Sequence, residues 1–279
     1  MLFETANAKI NWALEVTGRR EDGYHLLDMM MQPISLCDEL SAEEADGISL
    51  AIDGDPIAPG PENLVWRAAA ALQKHCGVQK GAHIVLKKRI PSQAGLGGGS
   101  ADCAAALRLL RRLWNADVSD GQLHQIGLKL GADVPFCLTN RFARVQGIGE
   151  KVMPLGNAPQ LPLVILKPDE GVPTPVAFRL LDESFHQKPE RDLDSALEAL
   201  SNGDWEKFGR TAGNDLLSPA LQIVPAIGEC IALLRQHGAL YADMSGSGSA
   251  VFGVFADMAQ AGQAAQAIGR GAIAAYTLA

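Results

Sequence analysis

Pro91-Ser92-Gln93-Ala94-Gly95-Leu96-Gly97-Gly98-Gly99-Ser100 leads straight into a segment where Ala101, Ala104, Ala105, Leu109 and Trp114 recur at helical spacing. A loop with so few bulky side chains lets a polyphosphate approach the main chain. The first turn of the following helix adds unpaired N–H donors and the positive end of its dipole. An ordinary connection accounts for one or two glycines, whereas here four fall within residues 95–99. Two better-known glycine patterns do not fit: a P-loop needs lysine then serine or threonine after its last glycine, and a dinucleotide fingerprint needs glycine where Ser100 stands.

Working outward, residues 83–90 alternate and carry β-branched side chains suited to a strand, which ends in Lys87, Lys88 and Arg89. Upstream, residues 63–77 read as a helix with Leu64, Ala68 and Leu72 on one face and Gly77 as its stop. Downstream, a helix is expected over residues 120–130, halted by Gly131. Residues 5–52 read as extended segments, with Asp22-Gly23 marking a turn. Proline and glycine cluster at residues 156–162, which divides the chain into domains of residues 1–157 and 158–279. The second half offers helices at 194–202, 205–212, 219–237 and 258–268. Its strands are expected at 163–166, 239–244, 250–254 and 272–277. The mixture is an α+β layout, and the later half reads as an open sandwich.

With 279 residues, 47% of them hydrophobic and 20% charged, the chain can bury a large core and reads as an ordered globular protein. A formal charge of -8 argues against broad nucleic-acid binding, which needs a basic face. Backbone amides and local lysines can still hold a small anion. Cys37, Cys76, Cys103, Cys137 and Cys230 are odd in number and form no Cys-x-x-Cys pair, so reduced thiols and a cytoplasmic setting are expected. Residues 1–9 carry Glu4 and no long apolar run, so neither signal peptide nor membrane anchor is expected.

Three further stretches could carry chemistry. Asn7, Lys9 and Asn11 alternate with Ala8, Ile10 and Trp12, so a strand puts the polar three on one face; a half-exposed edge strand gives the same pattern. Asp133 stands alone among apolar residues 130–138, where an aspartate commonly caps a helix; a cap and a chemical role are compatible. Residues 243–250 form a second small-residue loop, either a plain hairpin or a support for the first. Tyr24-His25 and residues 173–178, with Thr174 and Phe178, could recognise an aromatic ring, though single aromatics often serve the core. The other histidines lack metal-ligand spacing.

Taken in order, Ala8-Lys9-Ile10-Asn11, the loop at 91–100 and the segment 244–249 resemble the GHMP kinase superfamily. The blocks Gly18-Arg19-Arg20-Glu21-Asp22-Gly23-Tyr24-His25 and Gly131-Ala132-Asp133-Val134-Pro135-Phe136 resemble one branch of it. That branch phosphorylates the 2-hydroxyl of a cytidine-diphosphate-linked methylerythritol in the non-mevalonate isoprenoid pathway. The resemblance spans nearly the whole chain. It implies a ribosomal protein S5 domain 2-like N-terminal domain, a ferredoxin-like C-terminal domain and a site between them. It further implies Asp133 as base and Lys9 as its partner, both catalytic. ATP would lie along Pro91, Ser92, Gln93, Ala94, Gly95, Leu96, Gly97, Gly98, Gly99, Ser100 and Ala101, with Asn63 near the adenosine. Tyr24 and Phe178 would sandwich a cytosine read by His25, while Asn11 and Thr174 would hold the rest of the substrate. Mg2+ would accompany ATP, with Ser100 the side chain nearest the metal. Cys103 departs from the alanine usual in the family, a small change that leaves helix packing intact. The partner implied is a small molecule with a cytidine diphosphate moiety, with no nucleic acid or membrane, acted on by a monomer or weak homodimer.

Overall fold

The computed structural model describes residues 1–54, 58–156 and 158–279. The expected boundary between residues 157 and 158 therefore touches a position outside the described residues. In chain order the elements begin with β1 (Leu2–Arg19), β2 (His25–Ala45), β3 (Ile48–Asp53), α1 (Leu64–Cys76), β4 (Gly81–Lys87) and α2 (Gly98–Leu113). Then come α3 (Asp120–Leu130), α4 (Val134–Thr139), β5 (Ala143–Gly147), β6 (Lys151–Pro154), β7 (Pro162–Leu166) and α5 (Thr174–Glu183). A short 3-10 turn at Phe185–Gln187 precedes α6 (Leu193–Asn202), α7 (Trp205–Thr211), β8 (Gly213–Asn214), α8 (Leu217–Ile223) and α9 (Ala226–Gln236). The chain closes with β9 (Tyr241–Met244), β10 (Val251–Val254), α10 (Met258–Ile268) and β11 (Ile273–Tyr276).

Two sheets result. The first runs β3-β4-β2-β1-β8, with β5 and β6 continuing from the other part of β2. Long β2 makes this possible: Leu27–Met31 pairs with β5, and Glu39–Ala45 pairs with β4. The second sheet runs β11-β7-β10-β9, all antiparallel, which in its own strand numbering is the order 4-1-3-2 of a ferredoxin-like sheet. The two are tied together, since β8 from the later half pairs in parallel with β1.

Strand β1 shows why the sheets meet where they do. Ala8, Ile10 and Trp12 are fully buried in a core shared with Ile165, Phe208 and Phe252 of the later half. Leu14 and Val16 belong instead to the core lined by α1 and α2. A register irregularity between Asn11 and Ala13 makes the switch, because one inserted residue reverses the face on which later side chains point. The indole N–H of Trp12 donates to Gln32 Oε1 at 2.7 Å, and Gln32 Nε2 donates to the carbonyls of Pro159 and Leu278. A buried polar pair is thereby fully satisfied and holds three segments together.

The helix expected over residues 219–237 is two helices, α8 and α9, bent by 115°. Pro225 follows Val224, whose φ of -132° and ψ of 84° lie outside the helical region, as the residue before a proline prefers. The other elements expected in the second half lie within two residues of their expected bounds, whereas α5 and the two-residue strand β8 were not expected. Among the described residues no single helix is long and apolar enough to cross a membrane.

Candidate active site

The glycine loop is held from two sides. Lys9 N–H donates to the Leu96 carbonyl at 3.0 Å, and Ala250 N–H donates to the Ala94 carbonyl at 3.0 Å. Ser245 Oγ donates to the Gly95 carbonyl at 3.0 Å, and Asn214 Nδ2 binds the carbonyls of Met244 and Gly246. The segment 243–250 thus supports the first loop. Gly95 has φ +73°, and a Cβ there would stand 2.1 Å from the Ser245 carbonyl oxygen, so only glycine permits this approach. Gly97, at φ +69°, caps α2 without a side chain and leaves the first turn of a 16-residue helix facing the cavity.

That cavity, about 670 Å³, lies where β1, the loop, α4 and α5 converge, with Lys9, Asn11, Gly97, Ser100, Asp133 and Thr174 among its walls. Lys9 is buried, and its Nζ donates to Asn11 Oδ1 at 2.6 Å and to the Gly95 carbonyl at 2.7 Å. Asp133 Oδ2 stands 3.8 Å from the same nitrogen. Burial pushes the Lys9 pKa below that of an ordinary lysine, and the Asp133 charge opposes the fall. Asp133 occupies the N-cap position of α4, yet its side chain makes no capping hydrogen bond. The carboxylate, about a third exposed, is therefore free to face the cavity beside the ammonium.

A second chamber of about 750 Å³ shares Leu27, Ala132, Thr174, Pro175 and Phe178 with the first, so the two form one cleft. Tyr24, 61% exposed, and His25 line it. The His25 ring stacks on Phe178 at 4.4 Å between centroids and 19° between planes. Thr174 Oγ1 lies 2.7 Å from Ser247 Oγ, linking the start of α5 to the second glycine loop.

The remaining expected nucleotide residues sort differently. Gln93 lines the main cavity, whereas Pro91 and Ser92 line a separate space of about 310 Å³ with Lys88, Arg89 and Lys167. Ala94, Leu96 and Ala101 turn their side chains into the core, which leaves their main chain for any ligand. Gly98 and Gly99 form the first turn of α2. Asn63 is the N-cap of α1: its Oδ1 accepts from Val65 N–H at 2.9 Å and its Nδ2 donates to the Ala58 carbonyl at 3.0 Å. Sequence reasoning missed Arg19 and Asp182, both in the second chamber, and Asn214 beneath the second loop. For Asp182 one signal was available: it lies four residues after Phe178, on the same face of α5.

A backbone cradle at a helix N-terminus beside a buried lysine and a free carboxylate is the equipment of a small-molecule phosphotransferase. Two family models match the chain, GHMP kinases N terminal domain over residues 63–141 and GHMP kinases C terminal over residues 196–274. A 4-diphosphocytidyl-2-C-methyl-D-erythritol kinase of Pelotomaculum thermopropionicum is 44% identical over 262 residues, covering 93% of this chain and 91% of that protein. One of Rhizobium johnstonii is 43% identical, covering 96% and 88%. A crystal structure of 4-(cytidine 5'-diphospho)-2C-methyl-D-erythritol kinase superposes over the full length of both chains with a TM-score of 0.85 at 38% identity. The chain belongs to the GHMP kinases and, within them, to the 4-diphosphocytidyl-2-C-methyl-D-erythritol kinase family.

Proposed function

We propose that this protein transfers the γ-phosphoryl group of ATP to the 2-hydroxyl of 4-diphosphocytidyl-2-C-methyl-D-erythritol. The products are the 2-phosphate and ADP, a step of the non-mevalonate isoprenoid pathway. The observation that carries the reading is Asp133 Oδ2 at 3.8 Å from Lys9 Nζ, at the mouth of the glycine cradle and continuous with an aromatic chamber. Asp133 accepts the proton of the attacking hydroxyl. Lys9, fixed by Asn11 and Gly95, holds Asp133 in place and offsets charge on the transferring group. The amides of the loop and of the first turn of α2 hold the phosphate chain. Asn63 borders the adenosine side, as residues 91–101 border the phosphates. In the second chamber Tyr24 and Phe178 enclose the cytosine, His25 meets its polar edge, and Asn11 and Thr174 hold the diphosphate or the erythritol. Phosphoryl transfer asks for little beyond such positioning and charge stabilisation.

Mg2+ fits the donor set. Among the described residues there is no cluster of three or more acidic, histidine or cysteine side chains. Mg2+ brought by a nucleotide, however, keeps several waters and needs only one or two protein oxygens. Ser100 Oγ, in the first turn of α2 and on the cavity wall, is such an oxygen. When bound, the ion neutralises charge on the phosphates. The same reading places the enzyme in the cytoplasm as a monomer or weak homodimer, with no nucleic-acid or membrane partner.

Incubation with Mg-ATP and the acceptor, followed by phosphorus NMR of the product, tests the assignment. A new phosphomonoester on carbon 2 is expected. A product esterified elsewhere, or ADP release independent of acceptor, would refute it.

A further inference from the structure

Asp182 sits one helical turn beyond Phe178 on α5, so both reach into the second chamber. Its Oδ1 is 2.7 Å from His25 Nε2, and its Oδ2 accepts from Arg19 Nη1 at 3.0 Å. The imidazole is therefore fixed on its face by Phe178 and on one nitrogen by Asp182, with only 11% of its side chain exposed. An ionised carboxylate can only accept a hydrogen bond, so Nε2 must carry the hydrogen. In the neutral ring, Nδ1 is then left with a bare lone pair. Arg19 on the other oxygen already balances the charge of the carboxylate.

We propose that Asp182 is a specificity-determining positioning residue: by holding Nε2–H, it makes His25 present an acceptor, Nδ1, to the base in the chamber. That acceptor takes a hydrogen bond from the exocyclic amine of cytosine. Against uracil it meets the lone pairs of the 4-oxygen instead, which leaves two acceptors face to face. Asp182 thus acts through His25, on the choice of base rather than on phosphoryl transfer. The inference rests on the placement of the base in this chamber made above.

The test compares kcat/KM for the cytidine acceptor and its uridine counterpart in the wild type, Asp182→Ala and Asp182→Glu, together with nitrogen-15 NMR of the imidazoles assigned through a His25→Gln control. In Asp182→Ala the cytidine preference should fall about tenfold or more, the worth of one lost hydrogen bond and its mispairing. The change should lie in KM, with kcat nearly constant, and Asp182→Glu should restore much of it. The wild-type His25 spectrum should show hydrogen on Nε2, and Asp182→Ala should show a mixture of tautomers. If the wild type discriminates and Asp182→Ala keeps the full preference, or if wild-type His25 carries its hydrogen on Nδ1, the proposal is overturned alone. If the wild type turns over both acceptors equally, the base has no reader in this chamber, and the underlying placement falls with it.

Discussion

Burying an ammonium group costs several kcal/mol unless oxygens surround it, and Lys9 meets that demand with Asn11 Oδ1 at 2.6 Å and the Gly95 carbonyl at 2.7 Å. The same burial lowers its pKa while Asp133 works the other way. With the ammonium as the form proposed to support transfer, activity should fall as Lys9 loses its proton. The alkaline limb of a kcat/KM profile, which reports the free enzyme, should therefore lie below the ordinary lysine value of about 10.4. A limb at or above that value would remove Lys9 as its source. Asp133 yields a sharper expectation, because its carboxylate does no capping. Asp133→Asn should cut turnover by ~10²-fold or more while leaving substrate affinity nearly intact, as read from kcat and KM. Unchanged turnover would return Asp133 to a structural role. At this scale Lys9 was legible from strand alternation only in company with the loop, and Asp182 was marked by nothing but its spacing from Phe178: its meaning depends on His25, distant in sequence and adjacent only in the folded chain.

Among the elements, the loop and α2 were readable because their signal is local: glycine where φ is positive and the main chain approaches closely, then small residues at helical spacing. Gly97→Ala should strain the turn by about 1–2 kcal/mol for left-handed backbone. Its Cβ would also stand 3.0 Å from Lys9 Cγ. The expected result is a weaker ATP affinity and lower kcat in a protein that still folds, measured by nucleotide titration and circular dichroism. The hairpin between β1 and β2 is assigned a separate role, on the proposed reading, in holding the acceptor's base. Tyr24→Ala should weaken acceptor binding by ~1–3 kcal/mol, the worth of a stacked base, with ATP binding nearly unchanged. Equal losses for both ligands would contradict a base-stacking role. The α8–α9 break shows the opposite limit, for helical periodicity runs through residues 219–237 and only the restriction that Pro225 puts on Val224 divides it.

At the scale of the whole molecule, the sheets are locked by contacts between distant segments, such as Gln32 with Pro159 and Leu278, and β8 with β1. Pairings of this kind leave no periodic trace, so the α+β layout was legible in outline and its interlocking was not. One buried cluster ties the first sheet to the loop: Lys88 Nζ donates to Asp38 and to Asp102, and Asp38 Oδ1 accepts from the main chain of Arg89 and Ile90. Burial pushes the Asp102 carboxyl up to about 7 against the pull of Lys88, and the Asp38 charge adds to the rise. Between pH ~4 and ~7 the folded protein then keeps a proton that the unfolded chain has released. Stability from this group is full below that window and falls as pH rises through it, by up to about 1.4 kcal/mol per pH unit. Urea unfolding across that range should show the slope in the wild type and a smaller one in Asp102→Asn; identical slopes would rule the group out. The most direct measurement for the whole reading is acceptor-dependent ADP release with Mg-ATP and, in separate reactions, diphosphocytidyl methylerythritol, homoserine, mevalonate and galactose. Turnover with the first alone is the expected result, and turnover with any of the other three in its place would contradict the assignment of Tyr24, His25 and Phe178 to a cytosine.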